Sequence, residues 1–155
     1  MRIHLIAVGN KMPKWVEQGY QEYAKRLGAE CRLVLHEVAA AKRVKNALVE
    51  RMKEEEGGRM LAAIPARAHV VALDLSGKTW STAQLSDQLA NWMPAGSDVA
   101  LLVGGPDGLA DACLQRADQR WCLSPLTFPH PLVRVILAEQ LYRAWSLYRN
   151  HPYHR

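Results

Sequence analysis

The apolar run from Val99 to Val103, stopped at once by the turn sequence Gly104-Gly105-Pro106, most constrains how this chain can fold. Five consecutive apolar residues of this kind are typical of a strand that is buried on both faces. Glycine and proline directly after it indicate a tight turn. A strand buried on both faces needs a layer of structure on each side, so the run predicts an inner strand of a layered α/β fold.

Apolar strand patterns and helical patterns alternate along the rest of the chain. The strand candidates are 3–8, 32–38 and 70–75, and the helical segments after them are about 16–27, 46–63 and 82–92. Ser76-Gly77-Lys78 is expected to turn the chain out of the third strand, and Ser81 or Thr82 to cap the following helix. The alternation predicts a parallel sheet with helices on both faces, and residues 1–155 are expected to form a single domain.

Composition and charge narrow the class of protein. Hydrophobic residues make up 49% of the chain and charged residues 23%, as in ordinary folded proteins. The formal net charge of +5 mildly favours a polyanionic partner. The three cysteines form no CxxC pair, which argues against a disulfide framework or a zinc ribbon. No signal peptide is expected, and no apolar stretch reaches the roughly 18 residues of a membrane span, so the protein is expected in the cytoplasm, away from membranes.

Two loops in the second half of the chain are candidates for a ligand site. The glycines at 104 and 105 allow a ligand to approach the backbone closely, because neither carries a Cβ atom. The loop at 123–128 carries no charge, and apolar side chains with free backbone groups suit a flat heterocycle such as adenine. The GxGxxG, GxxxxGK[ST] and GxSxG motifs are absent. The pattern predicts a ligand beside the ends of the fourth and fifth strands, and a plain tight turn remains the alternative for the glycines.

The last helix is expected to begin near Pro131 and to run to about Tyr148, with proline in its first turn. At 100° per residue it presents one apolar face and one polar face. The apolar face comprises Leu137, Leu141, Trp145 and Tyr148, and the polar face comprises Glu139, Arg143, Ser146 and Asn150. Arg134 projects with the apolar face. Because the helix is apolar on most sides, we expect a second subunit to cover it.

Several strings of residues together resemble one family. They are Val8-Gly-Asn-Lys-Met12, Leu102-Val-Gly-Gly-Pro-Asp-Gly-Leu109, Leu126-Thr-Phe-Pro-His-Pro-Leu-Val-Arg-Val135, Glu139-Gln-Leu-Tyr-Arg-Ala-Trp145 and Asn150-His-Pro-Tyr-His-Arg155. Over its full length the chain resembles the RlmH family of bacterial SPOUT-class methyltransferases, with Asp107 where glutamate is familiar. The resemblance implies a SPOUT α/β-knot fold with a C-terminal trefoil knot, and a homodimer. It also implies methyl transfer from S-adenosylmethionine to N3 of pseudouridine 1915 in helix 69 of 23S ribosomal RNA.

The resemblance also assigns residues to the site. The expected cofactor contacts are Leu73, Gly104, Gly105, Leu123, Ser124, Pro125, Leu126, Thr127 and Phe128. No acidic residue is expected inside these loops to hold a ribose, so main-chain groups are expected to make most of the contacts. The candidates for chemistry are His130, Glu139, Arg143, Tyr153 and His154, of which Tyr153 and His154 are preferred for removing the N3 proton or orienting the base. The dimer is expected to bring the C-terminal tail of one subunit, residues 150–155, to the cofactor pocket of the other. The reaction needs no metal.

Basic side chains supply candidate contacts to RNA phosphates. They are Arg2, Lys11, Lys14, Lys42, Arg43, Lys45 and Arg149. A dimer of this size offers little surface for reading RNA alone, so 23S ribosomal RNA within the assembled ribosome is the expected substrate. The alternative is a non-catalytic, basic RNA-binding α/β module, which would not need the glycine turn or the uncharged loop.

Overall fold

Five parallel strands form one sheet in the computed structural model, which describes residues 1–154. The strands are β1 (Arg2–Val8), β2 (Arg32–Val38), β3 (His69–Lys78), β4 (Val99–Val103) and β5 (Gln119–Trp121). Their order across the sheet is β2-β1-β4-β3-β5, and every neighbouring pair is parallel. All of β4 and all of β1 after its first residue are buried, as the apolar runs predict.

Five helices cover the two faces of this sheet. They are α1 (Lys14–Ala24), α2 (Val49–Ala63), α3 (Thr82–Trp92), α4 (Asp111–Arg116) and α5 (His130–Tyr148), with short 3₁₀ turns at Ala29–Cys31, Met93–Ala95 and Pro152–His154. Side chains of α1, α3 and α5 share one buried cluster with the sheet, and side chains of α2 and α4 share the other. The prediction of helices on both faces is therefore confirmed. None of these helices within residues 1–154 is long and apolar enough to cross a membrane.

Local sequence fixes the ends of the helices. The Ser81 hydroxyl accepts from the Gln84 N–H at 3.1 Å, and the Gln84 side chain accepts from the Ser81 N–H at 2.9 Å, which is a complete capping box. Pro131 lies in the first turn of α5, as expected. The expected start of α2 near Asn46 is wrong. Asn46 has a φ of 68°, a left-handed conformation that no helix contains, so α2 begins three residues later at Val49.

The expected turn at Ser76-Gly77-Lys78 is wrong as well, because β3 continues to Lys78. Trp121 of β5 pairs with both Leu73 and Lys78, across an irregularity in the register. At Gly77 a Cβ atom would lie only 2.5 Å from the backbone of Arg120 and Trp121. The glycine therefore serves close packing of two strands rather than a turn.

The first half of the apolar face of α5 is covered within its own chain. Leu137 and Leu141 are fully buried in the cluster that includes Tyr20 of α1 and Leu89 of α3. Ser146, assigned to the polar face, is also fully buried. The expectation that a second subunit covers this face is therefore wrong for Leu137 and Leu141, whereas Tyr148 is 41% exposed and a subunit over that end of the face stays a prediction.

Candidate active site

A cavity of about 620 Å³ opens at the carboxyl ends of β4, β3 and β5. This volume lies within the range of small-molecule pockets, about 300–1,000 Å³. Its walls come from the end of β3, from the glycine turn after β4, from the loop after β5 and from the first turn of α5. The lining residues are Leu73, Asp74, Leu75, Val103–Gly108, Leu123, Ser124, Leu126–His130 and Val133.

The structure brings the sequence-predicted cofactor residues together here. Those that line the cavity are Leu73, Gly104, Gly105, Leu123, Ser124, Leu126, Thr127 and Phe128, and Pro125 is not among the lining residues. The sheet order explains the grouping, because β3 lies between β4 and β5 and the carboxyl ends of parallel strands share one edge. Their contacts with a cofactor stay a prediction.

The glycine turn closes tightly on itself. The Gly108 N–H donates to the Gly105 carbonyl at 3.0 Å, and Gly108 has a φ of +84°. A Cβ atom at Gly104 would lie 2.6 Å from the Gly108 carbonyl carbon and 2.9 Å from the Leu109 nitrogen. Gly104 therefore lacks a side chain because its own turn leaves no room for one, whereas the sequence suggested room for a ligand.

The second loop has backbone N–H groups without protein partners among the described residues. Within residues 1–154, the N–H groups of Leu123, Ser124, Thr127 and Phe128 donate to no other protein group. Leu126 is the exception, since its N–H donates to the Ser124 hydroxyl at 3.0 Å. This arrangement leaves free donors beside apolar side chains, as the uncharged loop predicts.

Two carboxylates that are not among the predicted contacts also line the cavity. Asp74 follows Leu73 in β3 and accepts from the backbone N–H and the hydroxyl of Ser76. Asp107 lies in the glycine turn, 3.1 Å from the guanidinium of Arg43. The expectation that no acidic residue lies in these loops is therefore wrong. The signal was present, because both residues adjoin predicted contacts.

His130 is the one candidate for chemistry that lines the cavity. Burial and, next in size, the positive charge of Arg134 lower the pKa of His130. The neutral imidazole, which can accept a proton, is therefore favoured at neutral pH.

Arg134 is only 2% exposed and ties α5 to the end of β1. Its guanidinium donates to the Glu37 carboxylate at 2.6 Å and to the Gly9 carbonyl at 2.7 Å. The helical periodicity predicts Arg134 on an apolar face but carries no information about its partners, which are more than ninety residues away in the chain.

Glu139, Arg143 and Tyr153 form a separate cluster at the far end of α5. The Glu139 carboxylate accepts from Arg143 Nε at 2.9 Å and from the Tyr153 hydroxyl at 3.2 Å, and the Arg143 guanidinium lies 5.2 Å from the centre of the Tyr153 ring. Burial first, and then the Glu139 charge, raise the pKa of Tyr153, which therefore stays a protonated donor. His154 Nδ1 lies 2.6 Å from the His151 carbonyl. A carbonyl only accepts, so Nδ1 holds a proton and the Nε2 lone pair of neutral His154 is left available.

This tail cluster does not reach the cavity of its own chain. Glu139 is nine residues beyond His130 on one helix, which corresponds to about 14 Å along the axis, and Arg143 lies still further. The structure thus places His130 with the predicted cofactor residues and places Glu139, Arg143 and Tyr153 elsewhere.

The basic residues predicted to contact RNA phosphates differ in whether they already lie near a carboxylate of the protein. Arg2, Lys11, Lys14, Lys42 and Lys45 are exposed. Arg149 lies 3.5 Å from Glu30, and Arg43 lies between two carboxylates. In the part of the chain that the structure describes, no group of three or more His, Cys, Asp or Glu side chains could hold a metal ion.

Sequence comparisons point to one family. A family model described as a predicted SPOUT methyltransferase matches residues 1–154. Three relatives, each named Ribosomal RNA large subunit methyltransferase H, match the whole of this chain and 99–100% of their own length. The chain is 59% identical to the relative from Methylococcus capsulatus, 66% to that from Thioalkalivibrio sulfidiphilus and 60% to that from Hahella chejuensis.

Solved structures with low sequence identity share the fold. A probable methylase family protein from Haemophilus influenzae has a TM-score of 0.53 and 9% identity, over 96% of this chain and 67% of that one. A structure that describes 2-OH methylation of C/U34 on tRNA has a TM-score of 0.51 and 17% identity, over 94% of this chain and 97% of that one. A methyltransferase from Legionella pneumophila, solved with bound SAM, has a TM-score of 0.50 and 11% identity, over 93% of this chain and 66% of that one.

Proposed function

Because this chain belongs to the SPOUT methyltransferase family, we propose that it transfers a methyl group from S-adenosylmethionine to large-subunit ribosomal RNA. The proposed target is N3 of pseudouridine 1915 in helix 69 of 23S ribosomal RNA. The observation that carries the proposal is the cavity at the carboxyl ends of β4, β3 and β5, where three separate segments of the chain meet around one pocket.

The residues of this cavity fit S-adenosylmethionine. The apolar side chains of Leu73, Leu123 and Phe128 suit the faces of an adenine ring, and the free N–H groups of the 123–128 loop suit its ring nitrogens. The carboxylate of Asp74 suits a ribose hydroxyl or the positive charges of the cofactor. The proposed contacts are those predicted from the sequence, with Asp74 added, and they include Pro125 although it does not line the cavity.

When bound, S-adenosylmethionine supplies a methyl group that is activated by a sulfonium. The methyl carbon forms a bond to N3 as the bond between that carbon and sulfur breaks. The imide N3 must lose its proton, so the chain has to supply a proton acceptor or a group that stabilises the negative charge. His130 is our proposed acceptor from the chain that forms the cavity, because it lines the cavity and its pKa is lowered.

Glu139, Arg143, Tyr153 and His154 can take part only if another subunit brings them to the cavity. We therefore propose a homodimer in which each cavity faces the tail of the partner. Two exposed leucines at the rim support this arrangement, since Leu75 is 68% exposed and Leu126 is 70% exposed, and a partner would cover them. In such a site Arg143 and the protonated Tyr153 would donate to the target base, and His154 Nε2 would be a second candidate acceptor.

Positioning is the main contribution that this chemistry asks of the protein. The exposed lysines of the 9–14 and 41–46 segments are proposed to hold RNA phosphates without reading sequence. A small dimer with few such contacts is expected to need the surface of the assembled ribosome, so the enzyme would act in the cytoplasm, where ribosomes are found. The C-terminal trefoil knot also stays a prediction from the family.

Two measurements test the proposed function. The first is calorimetric titration with S-adenosylmethionine, with ATP and a nicotinamide dinucleotide as controls. The second is transfer of labelled methyl to ribosomes lacking this modification, with the position located by mass spectrometry of RNA fragments. We expect S-adenosylmethionine to bind, and ATP and the nicotinamide dinucleotide not to bind. We expect methyl transfer to N3 of one pseudouridine in helix 69.

Each outcome separates the alternatives. Absence of S-adenosylmethionine binding at millimolar concentration would favour the non-catalytic RNA-binding module. Binding with transfer to another nucleotide would leave the methyltransferase standing and overturn the proposed target. Equal rates on naked transcript and on ribosomes would overturn the expectation that assembled ribosomes are preferred.

A further inference from the structure

Arg43 joins the basic loop at 41–46 to the cavity. Its guanidinium lies 3.2 Å from the Glu56 carboxylate and 3.1 Å from the Asp107 carboxylate. The same side chain donates to the Ala41 carbonyl at 3.3 Å. Arg43 is a predicted contact for RNA phosphates, but in this structure its Nη2 already lies against two carboxylates.

Glu56 is the buried carboxylate of this arrangement. It is 2% exposed, and one carboxylate oxygen also accepts from the Ala41 N–H at 3.0 Å. Its other oxygen is buried without a hydrogen-bond partner in the described residues, close beneath Gly105. A buried carboxylate is costly unless a cation accompanies it, so Glu56 holds the Arg43 guanidinium in place.

Asp107 is the more exposed end of this arrangement. It follows Pro106 in the Gly105–Gly108 turn, and that turn forms one wall of the cavity. Its side chain is 29% exposed, and its contact with Arg43 links the turn to the α2 helix that carries Glu56. The hydrogen bond between Gly108 and Gly105 closes the same turn, and the contact with Arg43 adds a restraint from outside it.

We propose that Arg43 is a positioning residue for cofactor binding: anchored on buried Glu56, it holds Asp107 and so fixes the glycine turn in its binding conformation. The proposal rests on the proposed function, because the ligand of this cavity is taken to be S-adenosylmethionine. It assigns to a residue of the basic loop a role in cofactor affinity rather than in RNA affinity.

The first experiment replaces Asp107 with asparagine, which keeps the shape and leaves the Arg43–Glu56 pair intact. A partly exposed ion pair contributes up to about 1 kcal/mol, so the Kd for S-adenosylmethionine should rise about threefold to fivefold. The KM for S-adenosylmethionine should rise with it, while kcat at saturating cofactor and the KM for ribosomes should not change. Glu50→Gln, which removes a carboxylate from the same helix as Glu56, is the matched control and should bind like wild type.

The second experiment separates positioning from direct attraction between Asp107 and the positively charged cofactor. If Asp107 acts directly, Arg43→Gln frees its charge and should leave cofactor affinity unchanged or improve it. If Arg43 positions Asp107, Arg43→Gln should weaken binding at least as much as Asp107→Asn, and the double variant should be no weaker than Arg43→Gln alone. Arg43→Lys should recover only part of the loss, since it keeps the charge but not the planar guanidinium, whose Nη2 contacts both carboxylates while Nη1 donates to the Ala41 carbonyl.

The results that overturn the proposal are specific. Wild-type affinity in a folded Asp107→Asn variant overturns it, and so do additive losses in the double variant. If Arg43→Gln does not fold, the Asp107→Asn and Arg43→Lys variants still decide. Failure of the wild-type protein itself to bind S-adenosylmethionine would instead overturn the proposed function.

Discussion

Gly104→Ala adds one methyl group where the glycine turn leaves no space. The new Cβ would lie 2.6 Å from the Gly108 carbonyl carbon, a distance that real Cβ contacts, at 3.0 Å or more, do not show. The turn must therefore open by at least 0.4 Å, the difference between these two distances, and the atoms that must move are backbone. Overpacking of this kind costs about 1–3 kcal/mol.

The displaced turn is one wall of the cavity, so ligand affinity should fall together with stability. We expect a loss of 1–3 kcal/mol in the free energy of unfolding, about the range for overpacked sites, and at least a roughly tenfold rise in the Kd for S-adenosylmethionine. Urea unfolding followed by circular dichroism measures the first quantity, and calorimetric titration measures the second.

Gly96→Ala is the matched control. Gly96 has a φ of +77°, and a Cβ atom there would meet nothing within 4 Å, at the opposite end of β4 from the cavity. Alanine should cost about 1–2 kcal/mol through its strained backbone and should leave cofactor affinity unchanged. If Gly104→Ala keeps wild-type stability and wild-type affinity, the argument from the crowded turn is refuted.

Two further predictions concern stability. The neighbouring glycines of α2 should respond in opposite ways to alanine. Gly58→Ala, at an exposed helical site with open space, should raise the free energy of unfolding by about 0.5–1 kcal/mol. Gly57→Ala should lower it, because its Cβ would lie 2.8 Å from that of Ala110, and equal shifts in urea unfolding would contradict this. The hydrogen bond from His4 lowers the pKa of Asp98 below its ordinary value of 3.8, so its contribution to stability is present above that pH and is lost as pH falls through the lowered value. Asp98→Asn should therefore flatten the acid limb of a stability-against-pH curve, and an unchanged limb would show that other groups cause the acid loss.

Sequence was sufficient for what depends on neighbouring residues. The runs at 3–8 and 99–103 are buried strands because apolar residues there are continuous, and Ser81 caps α3 because its partner Gln84 is three residues away. The cavity could be located as well. Glycines after one strand and an uncharged loop after another must meet when parallel strands end at one edge.

Sequence was insufficient where the deciding contact is distant in the chain. Gly77 resembles a turn residue until β5, more than forty residues later, packs against it. Leu141 resembles a subunit contact because nothing local shows that α1 and α3 will cover it. The roles of Arg134 and Glu56 depend on ion pairs with partners on other elements, and periodicity alone carries no information about them.

The tail provides the last prediction, and it follows from the length of α5. Deleting residues 151–155 removes Tyr153 and its ring contact with Tyr142 at 4.5 Å, which should cost about 1 kcal/mol of stability. The cavity residues are untouched, so S-adenosylmethionine should bind as in wild type while methyl transfer to ribosomes is lost. A truncated protein that methylates ribosomes at the full rate would show that the tail is dispensable.

Mixing two inactive proteins then decides whether the tail acts within its chain or across a dimer. The truncated chain keeps its cavity and lacks a tail, whereas a Gly104→Val chain keeps its tail and lacks a working turn. If the tail acts across the interface, a mixed dimer unites the intact cavity of one subunit with the intact tail of the other. Random pairing makes half of the dimers mixed, each with one working site of two, so about a quarter of wild-type activity should return. If each tail serves its own chain, the mixture stays inactive, but the separation of about 14 Å between Glu139 and His130 along one rigid helix argues against that outcome.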